Sequence, residues 1–304
     1  MKLAMVFPGQ GTGIEREAAA WCECSAPVRR LVDVAARHTG VSAGDLLASI
    51  GWGIMPTERL EPLLTAICLG IHDELVRHGV CADVVAGHSL GEIPACAAIG
   101  CCTAEDAVAL AAERGRLMAR EAARRPGGMV MVTAASRLIV EEAVAFAGSG
   151  GIVAIAAHNA PNQWVISGEW TALRRLATRC PATPVAVTGA WHSDVLAGVV
   201  EAFRGAARRT LTQPIRTPFI ANRTGAFVGG VEELPDLLAE QLTHPVEWVR
   251  VMETLSAVGV TDVVTVGPAR ILRGLVRFNL GRNVALHSTE VIGDPERIAE
   301  ACVE

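Results

Sequence analysis

Short apolar runs rich in Val and Ile alternate along the chain with amphipathic stretches of Ala, Leu and Arg. That rhythm predicts an α/β domain with a largely parallel sheet. Strands are expected at 3–7, 83–87, 219–222, 262–266 and 284–288, and helices at 63–78, 104–124, 195–208, 248–258 and 269–278. The middle of the chain changes rhythm. Its order is strand 128–134, helix 138–148, strand 152–157, strand 163–167, helix 170–180 and strand 183–187. This βαββαβ sequence predicts an inserted ferredoxin-like small domain. With the break at Arg125-Pro126-Gly127-Gly128 as its entry, the small domain is placed at 125–189 and the large domain at 1–124 and 190–304. A site is expected in the cleft between them.

Composition narrows the chemistry. The 304 residues are 51% apolar, enough for a large dry core. The net charge of −5 is spread along the chain, so there is no bulk electrostatic case for nucleic acid. The nine cysteines are scattered with no CxxC pair, which indicates neither a disulfide framework nor a metal site and fits a reducing, cytoplasmic setting. Residues 1–7 read as a strand entering Pro8-Gly9-Gln10-Gly11 and lack the basic region and apolar run of a signal peptide. The uncharged stretch 143–168 contains His158, Asn159, Pro161, Asn162 and Gln163 and reads as buried strands and loops rather than a membrane span. Lys2 is the only lysine and tyrosine is absent, which removes Schiff-base, P-loop and phenolic-acid mechanisms. Ser, Cys, His and carboxylates remain.

Gly87-His88-Ser89-Leu90-Gly91 is a GxSxG motif between an apolar strand and a helix-forming stretch beginning at Glu92. In that context it predicts a tight turn that holds the Ser89 hydroxyl exposed, with glycines where strand and helix nearly touch. A serine nucleophile needs a base. His38, His72 and His78 read as solvated residues on polar helical faces or helix ends, and His158 and His244 lie near loops. His88 is inside the turn and points away from its neighbour. His192, in Gly189-Ala190-Trp191-His192-Ser193, follows the last strand of the small domain and would project into the cleft, but position alone does not choose it. The acids between Ser89 and His192 all look helical or helix-flanking, which favours a Ser-His dyad over a triad.

Taken in order, these segments resemble one family: the malonyl-CoA:acyl-carrier-protein transacylases and the acyltransferase domains of polyketide synthases. The resemblance rests on Phe7-Pro8-Gly9-Gln10-Gly11, the Ser89 elbow with Glu92, Arg114-Gly115, His158-Asn159-Ala160-Pro161, Val165-Ile166-Ser167-Gly168, the His192 segment, Gln241-Leu242, Pro245-Val246-Glu247-Trp248 and Val266-Gly267-Pro268. It implies an α/β-hydrolase-like large domain and a ping-pong transfer of a malonyl or related carboxylated acyl group from CoA to the phosphopantetheine thiol of an acyl carrier protein. Ser89 would be the nucleophile, His192 the general base, and Gln241 the residue whose main-chain carbonyl orients His192. The backbone N–H groups of Gln10 and Leu90 would form the oxyanion hole. Arg114 would clamp the acyl carboxylate, with Trp191, Met118 and Asn159 lining the substrate site. No bound cofactor, metal, nucleic acid or membrane is implied, and a monomer is expected.

The sequence departs from the family pattern at Trp191, where phenylalanine is more frequent, at Glu61-Pro62, where a glutamine-proline is common, and in Thr12-Gly13-Ile14-Glu15-Arg16. The first two would reshape or recharge the acyl pocket. Alternatives are therefore a different or carrier-protein-bound donor in a polyketide pathway, an acyl hydrolase that clears acyl carrier proteins, and a non-catalytic scaffold. An unpaired Arg114 argues against the hydrolase, since a neutral chain would leave its charge buried without a partner.

Overall fold

A computed structural model describes residues 1–10, 16–51, 53–289, 297 and 299–301. Gly11 and the expected departure at Thr12–Glu15 lie outside them. The fold is α/β, with one parallel sheet and one smaller antiparallel sheet.

The parallel sheet is built on β1 (Leu3–Phe7), whose five residues are all buried. This is the signature of a central strand covered on both faces. β1 pairs with β2 (Val84–Gly87) on one side and β8 (Asp262–Thr265) on the other. The short β7 (Phe219–Ile220) and β9 (Ala285–Ser288) complete the order β7-β2-β1-β8-β9. The register Phe7↔Gly87 makes β1 and β2 end level with each other. Their carboxyl ends open toward one crevice, where open α/β sheets place ligands.

Helices α1 (Arg16–Cys24), α2 (Ala26–Thr39), α3 (Ala43–Ala48), α4 (Thr57–Arg77), α5 (Glu92–Ala98) and α6 (Ala104–Arg124) occupy the first part of the chain. The sequence reading places no helix before residue 63, so α1 to α3 and the start of α4 are additions. α2 carries its own signals: Ser25 caps its first turn by accepting from Val28 N–H, and Gly40 ends it with φ 68°. Pro62 sits inside α4 as its sixth residue. α9 (Val200–Thr210), α10 (Leu234–Glu240), α11 (Trp248–Ala257) and α12 (Arg270–Leu280) pack later. The expected helix 195–208 divides into a 3-10 turn, Asp194–Val199, followed by α9.

The antiparallel sheet comprises β3 (Gly127–Thr133), β4 (Val153–Ala160), β5 (Gln163–Glu169) and β6 (Ala182–Pro184) in the order β4-β5-β3-β6. α7 (Arg137–Ala147) and α8 (Trp170–Leu176) lie against it. The uncharged stretch 143–168 thus forms a helix end and two strands, and among the described residues no helix is long and apolar enough to cross a membrane. Period-two alternation divides its strands between two duties. Val130, Val132, Trp164 and Ile166 join the core under α7 and α8, whereas Met129, Met131 and Val165 face the crevice. Val246 extends the β4 edge: His158 N–H donates to Val246 O at 2.9 Å and Val246 N–H to Ala156 O at 2.9 Å. The small sheet is thereby tied by backbone to the segment that enters α11.

α6 approaches α4 closely because Gly115 lacks a side chain. A Cβ there would lie 2.7 Å from Thr57 O and 2.9 Å from Glu58 Cα. Gly115→Ala should therefore destabilise the protein by about 1–3 kcal/mol through overpacking, although alanine's helix preference over glycine acts in the other direction by about 1 kcal/mol. Urea denaturation checks the sign, and a more stable variant would mean that the two helices separate freely.

Candidate active site

Two loops meet at the carboxyl ends of β1 and β2 with almost no side-chain bulk between them. A Cβ on Gly91 would stand 2.2 Å from Phe7 O, one on Gly87 2.2 Å from Gly91 C, and one on Gly9 2.5 Å from His88 O. Glycine is therefore required at all three positions. Between them, Ser89 adopts φ 52° at the start of a 3-10 turn that runs into α5. The only other non-glycine residue of positive φ among the described residues is His192, at 58°. Such backbone costs on the order of 1–3 kcal/mol per residue and persists where surrounding contacts over-determine it.

The two strained residues face each other. Ser89 Oγ lies 2.7 Å from His192 Nε2, and His192 Nδ1 lies 2.7 Å from the main-chain oxygen of Gln241. A carbonyl only accepts, so Nδ1 carries the proton and donates it. Nε2 is then the lone pair facing the serine hydroxyl. His192 is buried, and burial followed by the nearby Arg114 charge pushes its pKa down to about 3. The ring is neutral in this environment, as a proton acceptor must be.

Beneath the pair runs a buried polar layer. The Gln241 amide nitrogen donates to Ser89 O at 3.1 Å and to Glu92, and its oxygen accepts from Arg114 Nη2 at 2.9 Å. Arg114 Nη1 is 2.6 Å from Glu61 Oε1, in an ion pair whose members are 2% and 0% exposed. Glu61 also accepts from Gln10 Nε2 and Thr57 Oγ1. Glu92 accepts from Asn222 N–H at 2.6 Å, and the Asn222 amide donates to Gly87 O at 3.0 Å. Burial pushes the Glu61 carboxyl up to about 7 and the Glu92 carboxyl up to about 8, against the pull of Arg114 and their hydrogen bonds.

Above the pair lies a cavity of about 180 Å³ with Ser89, His192, Gln10 and His88 at one end and an apolar wall that includes Met129, Met131, Val187 and Leu275. Trp191 and Asn159 line it. Asn159 Oδ1 also lies 2.8 Å from His88 Nε2. Arg114 and Met118 do not line this cavity; both lie on α6 in the layer below, and Met118 is core. Gln10 reaches both levels, since its side chain touches Glu61 and also forms part of the cavity wall.

The acyl transferase domain model matches residues 5–267. The chain belongs to that family. The malonyl CoA-acyl carrier protein transacylase of Mycobacterium tuberculosis is 33% identical over 98% of this chain and 99% of its own length. The crystal structure of MCAT from M. tuberculosis superposes with a TM-score of 0.85 at 29% identity, covering 98% of this chain and 100% of that one. A type II PKS acyl-carrier protein in complex with its malonyl-transacylase contains a chain that superposes with a TM-score of 0.88 at 25% identity, covering 98% of this chain and 99% of that one.

In this acyltransferase His158 and His244 have structural partners. His158 stacks on Trp164 with ring centroids 3.6 Å apart, and His244 Nδ1 lies 2.9 Å from Glu240 O. His72, read from sequence as solvated, is instead half-buried with its ring 5.9 Å from that of Phe7, and burial lowers its pKa to about 4. The sequence reading missed Glu92 and Asn222 as members of the buried layer. A charged residue directly after the elbow glycine was a usable signal for Glu92; Asn222 had none beyond ending a short strand.

Because His192 is neutral, its ring signals in a histidine-detected NMR titration should stay those of the Nδ1–H tautomer from pH 8 down to about pH 5, below the ordinary histidine value. Comparison with a His192→Asn spectrum assigns the signals. A midpoint near 6.5 would show that the ring is more solvated than its burial implies.

Proposed function

We propose that this acyltransferase moves an acyl group from coenzyme A to the phosphopantetheine thiol of an acyl carrier protein through an acyl-Ser89 intermediate. The observation that carries this is the continuous relay from Ser89 Oγ through both nitrogens of His192 to Gln241 O. Ser89 Oγ attacks the thioester carbon while its proton passes to His192 Nε2, and the imidazolium is steadied by the Gln241 carbonyl. The C–S bond then breaks and the same proton leaves on the CoA sulfur. In the second half the pantetheine S–H gives its proton to Nε2, its sulfur attacks the acyl ester, and Ser89 Oγ departs and takes the proton back. The backbone N–H groups of Gln10 and Leu90, on the two loops that Gly9 brings against Ser89, are assigned to the oxyanion. No metal or bound cofactor is required by these steps.

The relatives named malonyl CoA-acyl carrier protein transacylases support malonyl-CoA as donor and the carrier protein as acceptor. Arg114 is the guanidinium that would receive the malonyl carboxylate, with Trp191 and Asn159 bounding the acyl chain and Met118 supporting α6 behind Arg114. We read the β4-β5-β3-β6 sheet with its two helices as a ferredoxin-like small domain at 125–189, set into an α/β-hydrolase-like large domain at 1–124 and 190–304. A cytoplasmic monomer accords with this role.

One observation gives the hydrolase alternative weight: Glu61 already partners Arg114, so a neutral acyl chain would leave no buried charge unpaired. Intact-protein mass spectrometry separates the cases. With malonyl-CoA, the wild type should gain one acyl mass and Ser89→Ala none, while His192→Ala should acylate about 10²–10⁴-fold more slowly. On adding holo carrier protein the mass should pass to the carrier. Loss to water at the same rate would make hydrolase the correct description.

A further inference from the structure

Arg114 is 2% exposed and does not line the cavity, so a carboxylate that pairs with its Nη atoms from the cavity meets acceptors already in place. Glu61 Oε1 lies 2.6 Å from Nη1, and Gln241 Oε1 lies 2.9 Å from Nη2. Gln241 is anchored at the other end of its amide, which donates to Ser89 O and to Glu92. Glu61 is the acceptor that the cavity reaches, because Gln10 donates to it while standing in the cavity wall beside Ser89. Displaced from Arg114, Glu61 would keep Gln10 and Thr57 on Oε1 but lose its counter-charge at zero exposure, where an unpaired carboxylate is strongly unfavourable. Protonation removes that penalty. The second oxygen, Oε2, is buried and has no hydrogen-bond partner, so a proton added there breaks none of the bonds that the group makes. Burial already pushes this carboxyl up to about 7 while Arg114 pulls it down, and loss of that pull raises it further. The other titratable groups of the layer are Glu92 on α5, raised by burial to about 8, and His192 and His88, which burial keeps neutral. Glu92 meets Arg114 only through Gln241 and retains its bonds to Gln241 and Asn222 when Glu61 lets go.

We propose that the carboxylate of an incoming malonyl-type acyl group takes Arg114 over from Glu61, and that Glu61 accepts a proton from solvent as it lets go, so that acyl group and proton are taken up together. Glu61 is thereby a positioning residue: it holds Arg114 until the substrate carboxylate arrives and then yields it in neutral form. This rests on Ser89 as the acyl acceptor and Arg114 as the carboxylate receptor, and it adds a proton linkage to that reading. Well below pH 7 Glu61 is protonated before the acyl group arrives, so no proton is taken up and loading is independent of this group. Above pH 7 Glu61 is ionised while it pairs with Arg114 and must be protonated on loading, so malonyl loading weakens as pH rises.

The test mixes the full-length protein with malonyl-CoA in weakly buffered solution containing a pH indicator and counts the Ser89 adduct by intact-protein mass spectrometry. The wild type should take up about one proton per malonyl adduct at about pH 8 and almost none at about pH 6. Glu61→Gln, which keeps the shape and cannot titrate, should take up none at either pH. In parallel, kcat/KM for malonyl loading by the wild type, divided by that of Glu61→Gln at the same pH, should be flat below about pH 6 and fall about tenfold from about pH 8 to about pH 9. The division cancels the titration of the Ser89–His192 relay, which both proteins share. A merely structural role for Glu61 would change the rate by one factor at every pH. A wild type that forms the adduct without proton uptake overturns the proposal without recourse to any variant, and so does a pH-independent ratio. In either case an Arg114→Ala protein that loses malonyl loading would leave the carboxylate clamp standing. No adduct at Ser89 at any pH would instead overturn acyl transfer through that serine, and the proposal with it.

Discussion

The site depends on backbone meeting backbone. Gly9, Gly87 and Gly91 let the end of β1, the end of β2 and the turn into α5 approach to distances that no Cβ would tolerate. That contact holds Ser89 in its left-handed conformation and fixes where its hydroxyl points. A side-chain contact would have been adjustable by rotamer; this one is not, because backbone has no alternative positions to adopt inside a packed sheet. The parallel register that levels Phe7 with Gly87 is the longer-range condition for the same contact.

Around this fixed point the two sheets perform different work. The large sheet positions Ser89 and, through α4 and α6, the charged layer below it. The small sheet supplies the apolar wall above, since alternate residues of β3 and β5 turn toward the crevice while their neighbours pack under α7 and α8. The serine thus lies between an apolar chamber and a polar floor.

Much of this was legible in the residues. The β1 and α6 boundaries, the βαββαβ order and the Ser89 elbow follow from periodicity and glycine spacing, which are local. What was missed is of two kinds. α1 to α3 and the start of α4 lie outside the expected helices, although Ser25 and Gly40 at the two ends of α2 are local cap signals. The pairing of Glu61 with Arg114 was beyond reach for a different reason: 53 positions separate the two residues, and only the approach of α6 to α4 at Gly115 brings them together. A departure at Glu61 could be noticed in the sequence, but which charge it would meet is a property of helix packing. Likewise, spacing left the base open among several histidines, and His192 stands out only once its strained backbone and its distance from Ser89 are seen.

The residue that steers His192 does so with its main chain, and this has an evolutionary consequence. Every amino acid carries a carbonyl, so no single point substitution at 241 deletes the group that holds the imidazole, whereas an aspartate in that role is lost in one step. The Gln241 side chain is consequently released from the task of orientation and joins Arg114, Glu92 and Ser89 O instead. The charged floor can therefore vary through that side chain while the main-chain contact to the imidazole stays in place.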